Sequence, residues 1–547
     1  MTTRVDRPLE NSSVDSFDYI VVGAGSAGCV LAESLSRDGK ARVLLIEAGG
    51  SDRDFWIRMP IGYGHTFHDA RVNWRYRSEP VPGLNGQTAY LPRGKVIGGS
   101  SSINAMVYCR GLAADFDDWA AAGNPGWGWA DVAPVFDAFE SHVWPDGTRH
   151  GAGPLSVSHR EPECHPLRHD FFRAGQEAGL PLRDDMPTDG GEGVFAYAIT
   201  TRDGLRCSSA DAFLAPARKR PNMDVRTGLV VERIVFSGQR AVGVAVRQGN
   251  VVQIIAARGE VLLAAGAVGS PALLQRSGVG PAGLLNDLGI AVVRGNDQVG
   301  RNLQDHIGIN YFYRSTRPTL NAVLGTWPGR IAAGLRYVLR RSGPLSLSVN
   351  QIGGLARSRP DLAQPDVQLY FNPLSYSTET VGKRVLTRPD PWPGFIIGHN
   401  PCRPTSRGWV ALRSTEVQAA PAIQPNYLDT EQDRHDVIAA GRLIARIAAT
   451  PAMRDLVSSQ AYDIDAASDD AILADFRGRS GTVHHLCGTC RMAPEAAGGV
   501  VDAQLRVHGI DGLRVVDASI FPNITSANTN APTIMVARKA AELILSC

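Results

Sequence analysis

The chain has 547 residues, room for three to four units of about 150 residues each. Its 56 Lys+Arg stand against 54 Asp+Glu, a formal charge of +2, so there is no basic surplus of the kind that marks a nucleic-acid partner. Glycine is abundant, 58 residues with no low-complexity block to hold them, which places many at backbone sites needing close approach or positive φ.

Residues 1–16 are polar and lack the apolar core of a signal peptide, and they read as a disordered leader. The strand Tyr19–Val22 follows, then a glycine turn, a helix over Ser26–Arg37 and a second strand over Arg42–Ile46, a βαβ unit. Gly23, Gly25 and Gly28 spell GxGxxG at the strand-to-helix turn, where glycine admits a pyrophosphate to the backbone and the helix start offers free N–H groups. Glu47 ends the second strand, 19 residues after Gly28, where a carboxylate accepts from ribose hydroxyls. These glycines indicate a dinucleotide without distinguishing FAD from NAD. Gly278, Gly280 and Gly283 repeat the pattern, with Asp305 downstream, but follow a proline-started helical turn at Pro271 and not a strand, so this copy is rejected.

The longest apolar run, Val261–Leu274, is 14 residues, short of the ~20 that cross a bilayer, so a cytoplasmic protein with no transmembrane segment is expected. Eight scattered cysteines do not form a disulfide framework. The CxxC of Cys487 and Cys490 reads as packing thiols, and no metal site is expected.

Further motifs lie in order along the chain: Arg93-Gly-Lys-Val-Ile-Gly-Gly-Ser-Ser-Ser-Ile-Asn-Ala-Met-Val-Tyr108, Gly266-Ala-Val-Gly-Ser-Pro-Ala-Leu-Leu-Gln-Arg-Ser-Gly-Val-Gly280, Val299-Gly-Arg-Asn-Leu-Gln-Asp-His306, His484-His-Leu-Cys-Gly-Thr-Cys-Arg-Met492 and Asn528-Thr-Asn-Ala-Pro-Thr533. From Phe17 to Leu545 the sequence resembles the glucose-methanol-choline (GMC) oxidoreductases, FAD-dependent alcohol oxidases and dehydrogenases, and within them the bacterial choline dehydrogenase-like and aliphatic alcohol dehydrogenase members.

That resemblance implies an α/β, two-domain fold: a discontinuous, Rossmann-like FAD-binding domain over 17–158, 203–310 and 478–547, and a substrate-binding domain over 159–202 and 311–477 with a mainly antiparallel sheet flanked by helices. It implies FAD contacts at Gly23, Gly25, Ser26, Ala27 and Gly28, at Glu47 and Ala48, and along Arg93, Gly98, Gly99, Ser102, Asn104, Ala105, Met106 and Val107. Val231, Ala265, Asp517, Ala518, Asn528 and Thr529 complete the set. Some relatives attach FAD through a histidine just before the matching Asn; Ile103 stands there and has no nucleophilic nitrogen, so non-covalent FAD is expected.

Alcohol oxidation needs a base for the hydroxyl proton, and His485 matches the family's catalytic histidine, with adjacent His484 as the other candidate. Asn528 matches its partner, whose amide would orient the substrate oxygen, while Asn530 reads as the capping asparagine before a final helix opened by Ala531, Pro532 and Thr533. Electrons would pass to a quinone or other carrier, or to oxygen in an oxidase; an FAD lyase or light-driven decarboxylase on the same fold is the reading from another class. Trp327, Phe371, Tyr376 and Phe395 are pocket-wall candidates that also suit a core. Gln351 replaces an acid common in choline-type relatives, which favours a neutral alcohol. Arg330–Arg341 is basic and amphipathic and reads as a solvated helix face, with peripheral contact to a membrane or an electron acceptor as the other reading. The oligomeric state is not legible.

Overall fold

The computed structural model describes residues 15–249, 251–381, 384–464 and 466–546. All but the last two residues of the expected leader lie outside this range, and Ser16 already opens the first strand. Strand β1 (Ser16–Val22), helix α1 (Ser26–Leu35) and β2 (Val43–Glu47) form the expected βαβ unit, with β1 and β2 parallel and in register from Tyr19↔Val43. Residues 20–22 of β1 and 43–46 of β2 are unbroken apolar, buried runs, as strands covered on two faces require.

With β3 (Met223–Thr227), β4 (Val230–Ser237), β5 (Arg240–Gln248), β6 (Val251–Leu263) and β7 (Leu513–Val515) they make a seven-stranded sheet of order β3-β2-β1-β6-β5-β4, with β7 beside β6. Helix α2 (Gly266–Arg276) leaves β6 directly. The helix before the second glycine repeat therefore begins at Gly266, with Pro271 inside it and not at its start; the repeat does not follow a strand of this sheet. The C-terminal helix α4 (Asn530–Leu545) packs along α1, burying Ile534, Met535, Val536 and Ala537. Each large aliphatic side chain buried this way contributes about 1.5–3 kcal/mol.

The second sheet is antiparallel throughout and runs, by residue range, 457–460, 307–315, 394–401, 367–372, 352–356 and 193–196, with 481–482 on 307–308. The strand Ile307–Ser315 runs through the position where the two parts of the chain were expected to meet. Phe371 and Phe395 sit in its core, 5.3 Å apart.

Helix α3 (Trp327–Arg340) forms over the expected basic amphipathic stretch and lies at the surface. Of its side chains only Ala333 and Tyr337 are buried, and its large aliphatic residues point outward with Trp327, which does not line the cavity described below. Among the described residues no helix is long and apolar enough to cross a membrane. Cys487 and Cys490 are fully buried in the core as free thiols.

Candidate functional site

A cavity of about 630 Å³ lies between the two sheets, within the range usual for small-molecule and cofactor sites. Gly23, Gly25, Ser26 and Ala27 line it together with Glu47, Ala48 and Val231. Arg93, Gly99, Asn104, Ala105, Met106 and Val107 form another wall, and Ala265, Asp517, Ala518, Thr529, His485 and Asn528 complete the expected set.

Three expected residues do not reach it. A Cβ on Gly28 would stand 1.8 Å from the Gly23 carbonyl oxygen, so this glycine seats α1 on the turn and does not line the cavity. The Gly98 amide donates to the Ala24 carbonyl at 2.7 Å and stitches the two glycine segments together. Ser102 is fully buried, its hydroxyl spent on the Ile97 carbonyl at 2.7 Å. The stitch brings Gly99 so close that a Cβ there would lie 2.6 Å from the Gly25 Cα.

The walls have the donors and acceptors that a dinucleotide uses. No side chain caps the N-terminus of α1 or of α4, and both starts line the cavity, presenting unpaired amides and positive dipole ends. Glu47 accepts from the amides of Ala24 and Gly49 at 2.9 and 2.8 Å, and burial pushes its carboxyl up to about 7. Asp517 accepts from the first amide of α2, at Gly266, 2.9 Å away. Asn530 is not a cap: it is the first residue of α4, and its side-chain oxygen accepts from the Ser26 hydroxyl at 2.7 Å, tying the two helix starts together. Three buried side-chain nitrogens on the walls, Arg93 Nε, Arg276 Nε and His484 Nδ1, have no protein partner.

The protonation pattern of the histidine pair follows from its contacts. His306 Nε2 lies 2.7 Å from the Cys402 carbonyl oxygen, which only accepts, so that nitrogen carries the proton. Burial pushes His306 down to about 4, so the ring is neutral and its Nδ1 is a lone pair. That lone pair, 2.9 Å from His485 Nδ1, makes His485 donate there. His485 Nε2 is left with its own lone pair, 3.0 Å from the Asn528 amide nitrogen, which donates to it. Burial, then the neighbouring His306, holds His485 well below the usual imidazole range, so the unprotonated form is the resting one.

Supporting contacts hold the pair in place. Asn528 Oδ1 accepts from Gln368 Nε2 at 3.1 Å, which fixes which way the amide points. Asp305 receives the His485 backbone amide at 2.7 Å, together with the hydroxyls of Tyr427 and Thr482. The acid beside the rejected glycine repeat thus supports the histidine and no ribose. His484 faces elsewhere: its ring meets Phe67 at 5.1 Å, and its backbone, at φ +73°, offers its carbonyl to Arg93 at 2.6 Å.

Of the pocket-wall aromatics only Tyr376 lines the cavity; Tyr63, Phe67, Trp74, Tyr76 and Tyr370 were not anticipated. Gln351 does not line it: its side-chain oxygen accepts from the His165 amide at 2.8 Å, so its identity says nothing about substrate charge. His142, His159 and Asp185 form a group with metal-ligand chemistry, their ligand atoms within 4.8 Å of one another. The two imidazoles face each other at 2.9 Å and Glu140 holds the other nitrogen of His142 at 2.7 Å, a network outside the cavity lining.

Family models described as GMC oxidoreductase match residues 17–308 and 404–537. The chain is a GMC oxidoreductase. It is 41% identical to the mitochondrial choline dehydrogenase of Homo sapiens over 98% of this chain and 90% of that one. It is 40% identical to an alcohol dehydrogenase (acceptor) of Pseudomonas putida over 97% and 96% of the two chains. Among solved structures, pyridoxine 4-oxidase from Mesorbium loti aligns with TM-score 0.85 at 31% identity, covering 96% of this chain and 98% of the other. This GMC oxidoreductase thus shares nearly its whole length with oxidoreductases that act on CH–OH donors.

Proposed function

We propose that this GMC oxidoreductase oxidises a primary or secondary alcohol with FAD held non-covalently in the cavity. The observation that carries the reading is the tautomer chain from Cys402 through His306 to His485, which leaves an unprotonated Nε2 beside Asn528 on the cavity wall. FAD fits the cradle: glycine backbone and the α1 start for the pyrophosphate, Glu47 for the ribose, Val231 for the adenine, and the uncapped α4 start for the negative charge a reduced isoalloxazine carries. Bound there, it supplies the two-electron acceptor that takes the substrate α-hydrogen as hydride.

The chain's own residues do the rest. His485 Nε2 removes the hydroxyl proton, and the Nδ1–H donated to His306 steadies the imidazolium that forms. The Asn528 amide, oriented by Gln368, donates to the substrate oxygen as alkoxide character grows. Ile103 on the wall has no atom for a flavin bond, in keeping with non-covalent binding.

The only acids lining the cavity among the described residues are Glu47 and Asp517, both committed to the dinucleotide side. The lining also includes Tyr370, Tyr376 and the amides Asn310, Asn350 and Asn372, with Asn372 Oδ1 buried and unpartnered. That lining suits a neutral alcohol with an apolar body and a second hydrogen-bond donor. A quinone or other carrier is the acceptor in this reading; the discriminating test against an oxidase is the rate at which air reoxidises substrate-reduced enzyme. Anaerobic addition of neutral alcohols is expected to bleach the flavin, and an enzyme bleached only by charged amino alcohols would overturn the substrate class.

A further inference from the structure

Helix α3 carries its apolar face outward. Trp327, Ile331, Leu335, Val338 and Leu339 are 76, 59, 58, 63 and 77% exposed, five of the thirteen large hydrophobic side chains exposed among the described residues. At about 100° per residue these five fall within one arc of roughly 120°, and the buried Ala333 and Tyr337 lie on the opposite side. Tyr337 anchors that side by donating to the Gly204 carbonyl at 3.1 Å. A contiguous apolar strip of this kind gains nothing in water and marks a surface that meets something.

The flanks say what it meets. Arg330 and Arg336 border the strip on either side, Arg340 and Arg341 stand at the C-terminal end of the helix, and no acidic residue occurs from Trp327 to Arg341. Trp392, 38% exposed with the Arg314 guanidinium 4.3 Å from its ring, lies on the loop that holds the preceding turn, where the Asn321 amide donates to the Asp390 carbonyl at 3.0 Å. A second copy of this chain would bring arginines against arginines across a two-fold axis. A bilayer with anionic headgroups offers apolar depth for the strip and phosphates for its borders at once.

We propose that α3 is a membrane-docking helix, lying in the interface of an anionic phospholipid bilayer with its aliphatic arc inserted and its arginines at the headgroups. The chain leaving α3 reaches the cavity wall at Asn350. The inference stands on the surface alone and does not depend on the proposed chemistry.

The test is co-sedimentation of the yellow holoenzyme with phosphatidylcholine vesicles, with and without about 30% phosphatidylglycerol. Binding is expected to be about tenfold stronger with the anionic lipid and to weaken several-fold in about 0.5 M salt. Ile331→Glu/Leu335→Glu is expected to weaken it about tenfold, and Arg336→Glu/Arg340→Glu to remove the preference for anionic lipid. These positions are exposed, and flavin content and thermal midpoint confirm that the variants are folded. Wild-type protein left in the supernatant with both vesicles, or a glutamate variant that sediments like wild type, overturns the proposal. So does a solution dimer that the glutamates dissociate without vesicle binding, which would assign the face to a second copy.

Discussion

In the proposed reaction His485 serves as the base because the hydrogen bonds behind it leave Nε2 without a proton, and this gives the residue scale its sharpest predictions. His485→Ala is expected to slow anaerobic flavin reduction by about 10²–10⁴-fold while FAD stays bound, the usual span for one acid–base group. His306→Ala leaves His485 free to carry its proton on Nε2; reduction is expected to fall about 100-fold or more, although residue 306 touches no substrate. Asn528→Ala removes one donor and is expected to cost less than His485→Ala. The acid limb of kcat/KM is expected below pH 6.5, because burial depresses the pKa of His485 and the base stays competent until the pH falls through that lowered value. A limb above 6.5 in a pH-rate profile would show that another group limits the rate. The motif around residues 484–492 favoured His485 and left its neighbour as the other candidate; geometry separates them, since only His485 meets Asn528. His306 stood in a recognised motif without a role, because its role joins residues 306, 402 and 485, three segments that no local pattern relates.

At the scale of elements, the β1-α1-β2 unit was legible because its signals are local: an apolar run, a glycine turn and an acid at the strand end. Its finer division of labour was not. The first and third glycines of the motif make a packing contact that a sequence pattern cannot distinguish from a ligand contact, and the Cβ test alone separates them. Gly99 shows the converse, a glycine required by another glycine. Gly99→Ala, at φ +54° and 2.6 Å from the Gly25 Cα, is expected to lower the FAD content of the purified protein sharply, measured as the ratio of absorbance at 450 and 280 nm. Helix α3 shows a different limit. Amphipathic spacing fixes that a helix has an apolar face, and packing decides whether that face turns in or out.

At the scale of the molecule, the ordered motifs announced the family and both sheets, while the wall between them was largely hidden. Tyr63, Phe67, Trp74 and Tyr76 reach the cavity from short irregular segments with no periodicity to read, and Gln351 was misread because one residue of offset beside a strand turns a side chain from a cavity to a packing contact. Since both sheets contribute to one cavity, its occupant braces the whole fold. Added FAD is expected to raise the thermal midpoint of flavin-stripped protein with a concentration dependence set by RT ln(1+[L]/Kd), and acid precipitation is expected to leave the flavin in the supernatant. Colour retained in the pellet would contradict non-covalent binding.

The most direct measurement is stopped-flow anaerobic reduction of the holoenzyme by a series of neutral aliphatic and aromatic alcohols, run beside His485→Ala. The account predicts that at least one alcohol bleaches the wild-type flavin in a single turnover, and that the variant, still carrying FAD, does so about 10²–10⁴-fold more slowly. A flavin that no alcohol bleaches, or a variant that reduces at the wild-type rate, would contradict it.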